Sequence, residues 1–217
     1  TAFIQNVSHQ IRTPLNAVAG FSTILAQQSD ELTNEERQDL VRRIEHSAGI
    51  ITNSLIHLIT LSDIDSVNIQ KNSDVINCHE FCREIAREFK PMKQSIVFNY
   101  TSSVNQDVTV QSNRKMLKSV IMEILENADK FTEKGNITLS NEMASGMWLI
   151  SVSDTGRGIQ PGDEEKIFGH FAKIDDFSEG LGLGLTFCKN IVLRLGGDIV
   201  LDKDYHEGAR FIVKIPA

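Results

Sequence analysis

The sequence predicts an α+β protein in two parts: a helical hairpin that pairs with a second copy as a four-helix bundle, then an α/β sandwich. Three observations predict it. Bulky residues from Ile4 step by threes and fours through Val7, Ile11, Pro14, Val18, Phe21 and Leu25, a heptad seam that one isolated helix cannot bury. A second seam of the same period follows at Val41, Ile44, Ala48, Ile51, Leu55 and Leu58. Further on, strand-like and helical runs fall in separate blocks, the pattern of one sheet covered on one face by helices.

The first helix is expected to run to about Gln27, with Pro14 kinking it because its ring removes a backbone donor and crowds the preceding turn. With Ile4 at position a, His9 falls at f, facing solvent, and Thr13 lies one turn on along the same face. Ser29 to Asn34 reads as a polar turn, and Thr33 with Glu36 has the Thr-x-x-Glu form of a capping box opening the second helix. Two such helices joined by a short turn make a hairpin. Pairing two hairpins buries both seams, so a homodimer through residues 1–65 is expected.

Residues 66–77 lose periodicity and gain Asp, Ser and Asn, and read as a linker to a second domain over 78–217. In that domain helices are expected over His79–Lys90, Lys115–Phe131 and Thr186–Leu195, the last ending at the Gly196-Gly197 stop. Strands are expected at Ile96–Tyr100, Val108–Gln111, Ile137–Leu139, Trp148–Val152, Ile199–Leu201 and Phe211–Ile215.

Composition narrows the partners. A formal charge of −7 over 217 residues argues against a nucleic-acid or anionic-membrane surface. No apolar run reaches the roughly 20 residues that cross a bilayer, and the first residues lack the basic start and apolar core of a signal sequence. The chain begins without Met inside a heptad, so it is expected to be an excised fragment, cytoplasmic itself, of a longer protein whose upstream part leaves a membrane anchor or sensor module open. The 3 cysteines, Cys78, Cys82 and Cys188, fit a reducing compartment, with the Cys78/Cys82 pair as helix packing rather than half of a zinc site.

Three places point to a nucleotide. In Glu126-Asn127-Ala128-Asp129-Lys130-Phe131, the Asn127 oxygen suits a hard cation such as magnesium, and Lys130 could meet phosphate. After the strand Trp148–Val152 comes Asp154-Thr155-Gly156-Arg157-Gly158, where two glycines admit a ligand to the backbone and a carboxylate could accept a purine amine. Finally Gly180-Leu181-Gly182-Leu183-Gly184 is a poor strand and a poor helix, and it leads into a helix N-terminus suited to an anion. It is neither a Walker A loop nor a dinucleotide fingerprint. Taken singly, the first two also read as a solvated helix end and a tight turn.

In this order, downstream of a His-bearing heptad, these segments resemble the sensor histidine kinases of two-component signalling. Ser8 to Leu15 is similar to the family's H box, Glu123 to Phe131 to its N box, Asp154 to Gly158 to G1, Ile167 to Phe171 to the F box, and Gly180 to Leu185 to G2. Gly196 to Ile199 and Gly208 to Phe211 resemble its closing strands. The resemblance implies a protein-histidine kinase: a dimerisation and histidine-phosphotransfer hairpin, then an ATP-binding domain of the gyrase and Hsp90 type. By the same resemblance His9 takes the γ-phosphoryl group of ATP, Asn127 holds Mg2+, Lys130 meets phosphate and Asp154 binds the adenine amine. Gly156 and Gly158 line the base pocket, while Gly180, Gly182, Leu183 and Gly184 close over the phosphates behind a lid at 172–179. Lys173 is a further phosphate contact, and Thr13 orients water for dephosphorylating the partner. That partner is the receiver domain of a response regulator.

Two positions depart from the family. Gln10 stands where Glu or Asp usually follows the His, and an amide cannot take the imidazole proton, although its oxygen can fix the tautomer. Slowed autophosphorylation is expected. Glu123 stands where the N box usually starts with Asn, one turn from Asn127, and reads as a metal neighbour or a substitute base. Two other readings follow: a nucleotide-binding scaffold or phosphatase, which Gln10 supports, and a hydrolytic ATPase, which Glu123 supports.

Overall fold

The computed structural model describes residues 2–27, 32–62, 74–164, 166–169 and 182–217. The chain divides into two compact units, one of them the hairpin with residues 170–183 and the other residues 67–169 with 184–217. In the hairpin, α1 (Ala2–Gln27) runs through Pro14 and packs along α2 (Asn34–Ser62). The capping box forms as its spacing predicts: the Glu36 carboxylate accepts the Thr33 N–H at 2.9 Å, and the Thr33 hydroxyl accepts the Glu36 N–H at 3.2 Å. The α1 seam is covered at Ile11, Pro14, Val18, Phe21 and Leu25.

The α2 seam is displaced by one residue. Ile44 and Ile51 are half-buried as expected, and Asp39, Leu40, Ser47, Ile50 and Ser54 are covered too, while Val41, Ala48 and Leu55 are exposed at heptad spacing. A buried serine is tolerated because its hydroxyl can bond back to the helix, as Ser54 does to the Ile50 carbonyl at 2.6 Å. The side chains of Ile4, Val7 and Leu58 lie outside the described residues, as does the outward position expected of His9. Among the described residues no helix is long and apolar enough to cross a membrane.

The second unit is an α/β sandwich. Its sheet has the order β2 (Ile96–Ser102), β4 (Gly135–Ala144), β5 (Met147–Asp154), β7 (Arg210–Pro216), β6 (Asp198–Leu201). Only the β2–β4 pair is parallel; the rest is antiparallel. Helices α3 (Cys78–Glu88), α4 (Arg114–Phe131) and α5 (Gly184–Arg194) pack on it. Strand alternation supplies the core: Ile137 and Leu139 of β4, Trp148, Ile150 and Val152 of β5, and Phe211, Val213 and Ile215 of β7 are buried at period two. On α4 the buried positions Leu117, Val120, Ile121, Ile124, Leu125 and Ala128 step alternately by three and one along one face.

Caps and stops set the element ends. Asn77 and Asn113 accept the backbone N–H of Glu80 and Met116, opening α3 and α4. α5 stops as expected at Gly196, whose φ of +82° needs glycine, and Gly197 N–H closes back on the Val192 carbonyl at 2.9 Å. One stretch read as linker is ordered structure instead. Asp74–Asn77 is strand β1, paired antiparallel with β3 (Thr109–Ser112) in a second, two-stranded sheet. Its partner lies more than thirty residues on, which local composition does not reveal. Residues 63–73 lie outside the described residues.

Candidate active site

The period-two alternation of β5 carries on to its last residue, so Asp154 falls on the buried face with Trp148, Ile150 and Val152. A carboxylate there needs partners. Its Oδ1 accepts the Gly156 N–H at 2.9 Å and the Ala209 N–H at 3.2 Å, while Oδ2 takes no hydrogen bond among the described residues. Burial pushes this carboxyl above its ordinary value, against the lowering effect of the two N–H donors. The result is a fixed carboxylate with one oxygen spent on the fold and one available.

Glycines press in around it. A Cβ on Gly156 would lie 2.5 Å from the Phe131 carbonyl oxygen, and one on Gly208 would lie 2.2 Å from the Asp154 carbonyl oxygen and 2.7 Å from Oδ1. Gly158 has φ +66°, with the Gly208 carbonyl 3.0 Å from where its Cβ would be. The G1 loop thus wedges between the end of α4 and the β6–β7 connection, leaving no room for side chains beside the carboxylate.

Helix α4 links this end of the site to the other. Glu123, Asn127 and Phe131 lie on one face, each one turn from the next. At one end Phe131 abuts Gly156; at the other, Glu123 Oε1 lies 1.9 Å from where a Cβ of Gly184 would be. Gly184 is the first residue of α5, so the Glu123 carboxylate stands at a helix N-terminus, where the dipole favours negative charge. Half-buried Asn127 lies midway between the two contacts. Lys130 is exposed, with Nζ 5.1 Å from the Phe131 ring centroid, and the Arg157 guanidinium carbon is 4.6 Å from the same centroid. Positive charge gathers where α4 meets the G1 loop.

The residues fit the groups that the sequence implies. The free oxygen of Asp154 accepts only, as a purine amine requires. For a metal, one amide oxygen at Asn127 and one carboxylate at Glu123 are hard donors. Among the described residues no three of His, Cys, Asp and Glu gather, so a cation here would keep water and phosphate oxygens, as magnesium does.

Other expected site residues are placed as follows. Thr13 is exposed on α1; His9 and Gln10 are in α1, and their side chains lie outside the described residues. Lys173 and Gly180 also lie outside them. Gly182 has φ +64° and Leu183 is buried. From the F box, Phe168 closes a 3-10 turn (Lys166–Phe168), and the buried Thr186 hydroxyl of α5 bonds the Phe168 and Gly169 carbonyls at 3.1 and 2.8 Å.

Sequence reasoning missed the β6–β7 connection. Ala209, Gly208 and Tyr205 all engage Asp154, the Tyr205 hydroxyl donating to its carbonyl at 3.0 Å. A Gly just ahead of the last strand was visible, but its neighbour in space was not: the β5–β7 register, with Ser153 opposite Arg210, sets that contact. The cysteines are buried and free; burial raises the Cys78 thiol to about 11 and pushes Cys82 and Cys188 upward too, so these are packing groups rather than nucleophiles.

Two family models match the chain, the His Kinase A (phospho-acceptor) domain over residues 1–67 and the histidine kinase-, DNA gyrase B- and HSP90-like ATPase over residues 112–217. The sensor histidine kinase GacS of Pseudomonas protegens is 29% identical over 98% of this chain, which covers 24% of GacS. The chain spans about a quarter of the length of the curated relatives it matches. Among solved structures, the catalytic domain of the histidine kinase ThkA is 31% identical with a TM-score of 0.58, over 66% of this chain and 96% of that one. Full-length ShkA in complex with AMPPNP is 25% identical with a TM-score of 0.70, over 96% of this chain and 44% of that one.

Proposed function

The chain belongs to the sensor histidine kinases of two-component signalling, and on that premise we propose that it transfers the γ-phosphoryl group of ATP to His9. The phosphoryl group then passes to an aspartate in the receiver domain of a response regulator. What carries the reading is the state of Asp154, with Oδ1 locked by two backbone N–H groups and Oδ2 left for the adenine amine. ShkA, solved with an ATP analogue, supports it.

In this reading residues 78–217 bind nucleotide and residues 1–65 accept phosphate, in the cytoplasm where ATP is available. Asp154 reads the base, Gly156 and Gly158 line it, and Lys130, Lys173 and the G2 backbone at Gly180, Gly182, Leu183 and Gly184 meet the phosphates. Asn127 would hold magnesium, with Glu123 beside it; the ion would supply charge neutralisation at the phosphates. In its neutral form the His9 imidazole has one nitrogen whose lone pair attacks phosphorus. The N–P bond forms as the bond from γ-phosphorus to the bridging oxygen breaks, and that electron pair leaves with ADP. Gln10 can hold the other ring nitrogen but cannot take its proton, which is lost to solvent.

Gln10→Glu is therefore expected to speed phosphate incorporation from labelled ATP by roughly 10²-fold, the lower end of what a positioned base contributes. An unchanged rate would remove Gln10 from the account. In the same reading Thr13, exposed on α1, orients water when the regulator is dephosphorylated.

We also propose that two copies pair through the hairpin. Val41, Ala48 and Leu55 form an open heptad stripe on α2, and Leu15 and Ile24 are exposed on α1. Light scattering after size exclusion is expected to give twice the chain mass of 24.2 kDa, and a single-chain mass would contradict the pairing.

A further inference from the structure

One short segment holds Asp154 by three separate groups. The Asp154 N–H donates to the Ala209 carbonyl at 2.9 Å, its Oδ1 accepts the Ala209 N–H at 3.2 Å, and its carbonyl accepts the Tyr205 hydroxyl at 3.0 Å. Tyr205 is itself braced. The Arg210 guanidinium carbon stands 4.2 Å from the centroid of its ring, and Arg210 pairs with Asp202 at 3.2 Å. Asp202 in turn donates its N–H to the Arg210 carbonyl at 2.8 Å, closing the loop upon itself.

The Tyr205 bond differs in kind from the other two. Ladder bonds hold β5, and the Asp154–Thr155 peptide keeps one of them, its Thr155 N–H donating to the Asn136 carbonyl at 3.1 Å. The Tyr205 hydroxyl clamps the opposite, carbonyl edge of that same peptide, just where the strand gives way to the G1 loop. That plane, with the N–H already held, determines where the Asp154 side chain points. We infer that Tyr205, backed by Arg210, is a positioning residue that aims Oδ2 of Asp154 at the exocyclic amine of the purine, and so sets the preference for adenine over 6-oxo purines. The inference rests on the reading of Asp154 as the group that recognises the base.

The test compares the affinity of the full chain for ATP and for ITP, which carries a carbonyl in place of the amine. Tyr205→Phe keeps the ring under Arg210 and removes only the hydroxyl. It is expected to weaken ATP about three- to tenfold, the worth of one neutral hydrogen bond, and to leave ITP unchanged or tighter. Arg210→Lys, which keeps the charge beside Asp202, shifts ATP in the same direction by less. In an Asp154→Asn background Tyr205→Phe adds nothing further. Equal losses for both nucleotides, or full ATP affinity in Tyr205→Phe, overturn the inference. A parent chain that binds neither nucleotide overturns the reading of Asp154 itself.

Discussion

An Asp154→Asn variant is expected to fold as stably as the parent, or more so, while losing ATP affinity by about 10- to 100-fold, the range for a hydrogen bond to a charged group. The Asn oxygen can take over the two backbone donors that Oδ1 now accepts from Gly156 and Ala209. Its amide nitrogen, however, replaces the available acceptor with a donor, and two donors then face each other across the purine amine. The stability sign follows from the raised carboxyl. Folding disfavours its charged form, so its contribution is full below the ordinary value of 3.8 and is lost as pH rises through the raised folded value. At neutral pH the ionised group therefore costs stability, and removing the charge relieves that cost. The same shift means that nucleotide affinity should begin to fall at a higher pH than for an ordinary aspartate, because a protonated carboxyl no longer presents two acceptors. Calorimetric titration with ATP and thermal melting across pH check both halves; a variant that melts early yet binds ATP normally contradicts the assignment.

Gly208→Ala should behave differently, losing both stability and binding. The added methyl would sit 2.2 Å from a backbone oxygen and 2.7 Å from Oδ1 of Asp154, and backbone at a strand end cannot give way as a flexible side chain can. Overpacking of this kind costs about 1–3 kcal/mol. Displacement of Asp154 then weakens ATP by an amount comparable to Asp154→Asn. Melting and titration of the two variants side by side separate a lost acceptor, which leaves the melt intact, from a displaced one, which does not. Normal ATP affinity in Gly208→Ala contradicts the cradle.

How much of this was legible in the sequence depended on how local its cause was. The capping box at Thr33 and Glu36 and the stop at Gly196 are settled within a few residues, and each formed as expected; the alternation of β5 ran two residues past its expected end and buried Asp154. Within one chain the covered face of α2 lies one residue from the apolar seam, because apolar spacing selects Val41, Ala48 and Leu55, the stripe left open, whereas the covered face includes Ser47 and Ser54, and no pattern of apolar residues marks a buried serine. Strand β1 was hidden for a related reason, since Asp74–Asn77 is a strand by virtue of its pairing with Thr109–Ser112. The same holds at the site. Glycines near Asp154 announced a close approach, but that Tyr205 and Ala209 complete its surroundings depends on the β5–β7 register, which no short motif encodes.

The central claim, that the nucleotide site serves His9, is tested most directly by γ-labelled ATP and magnesium added to the parent chain, Gln10→Glu and His9→Ala. The account predicts acid-labile, alkali-stable label on the parent, faster labelling of Gln10→Glu, and none on His9→Ala. Label retained in His9→Ala, or free phosphate with no protein-bound label in either of the other two chains, would contradict it.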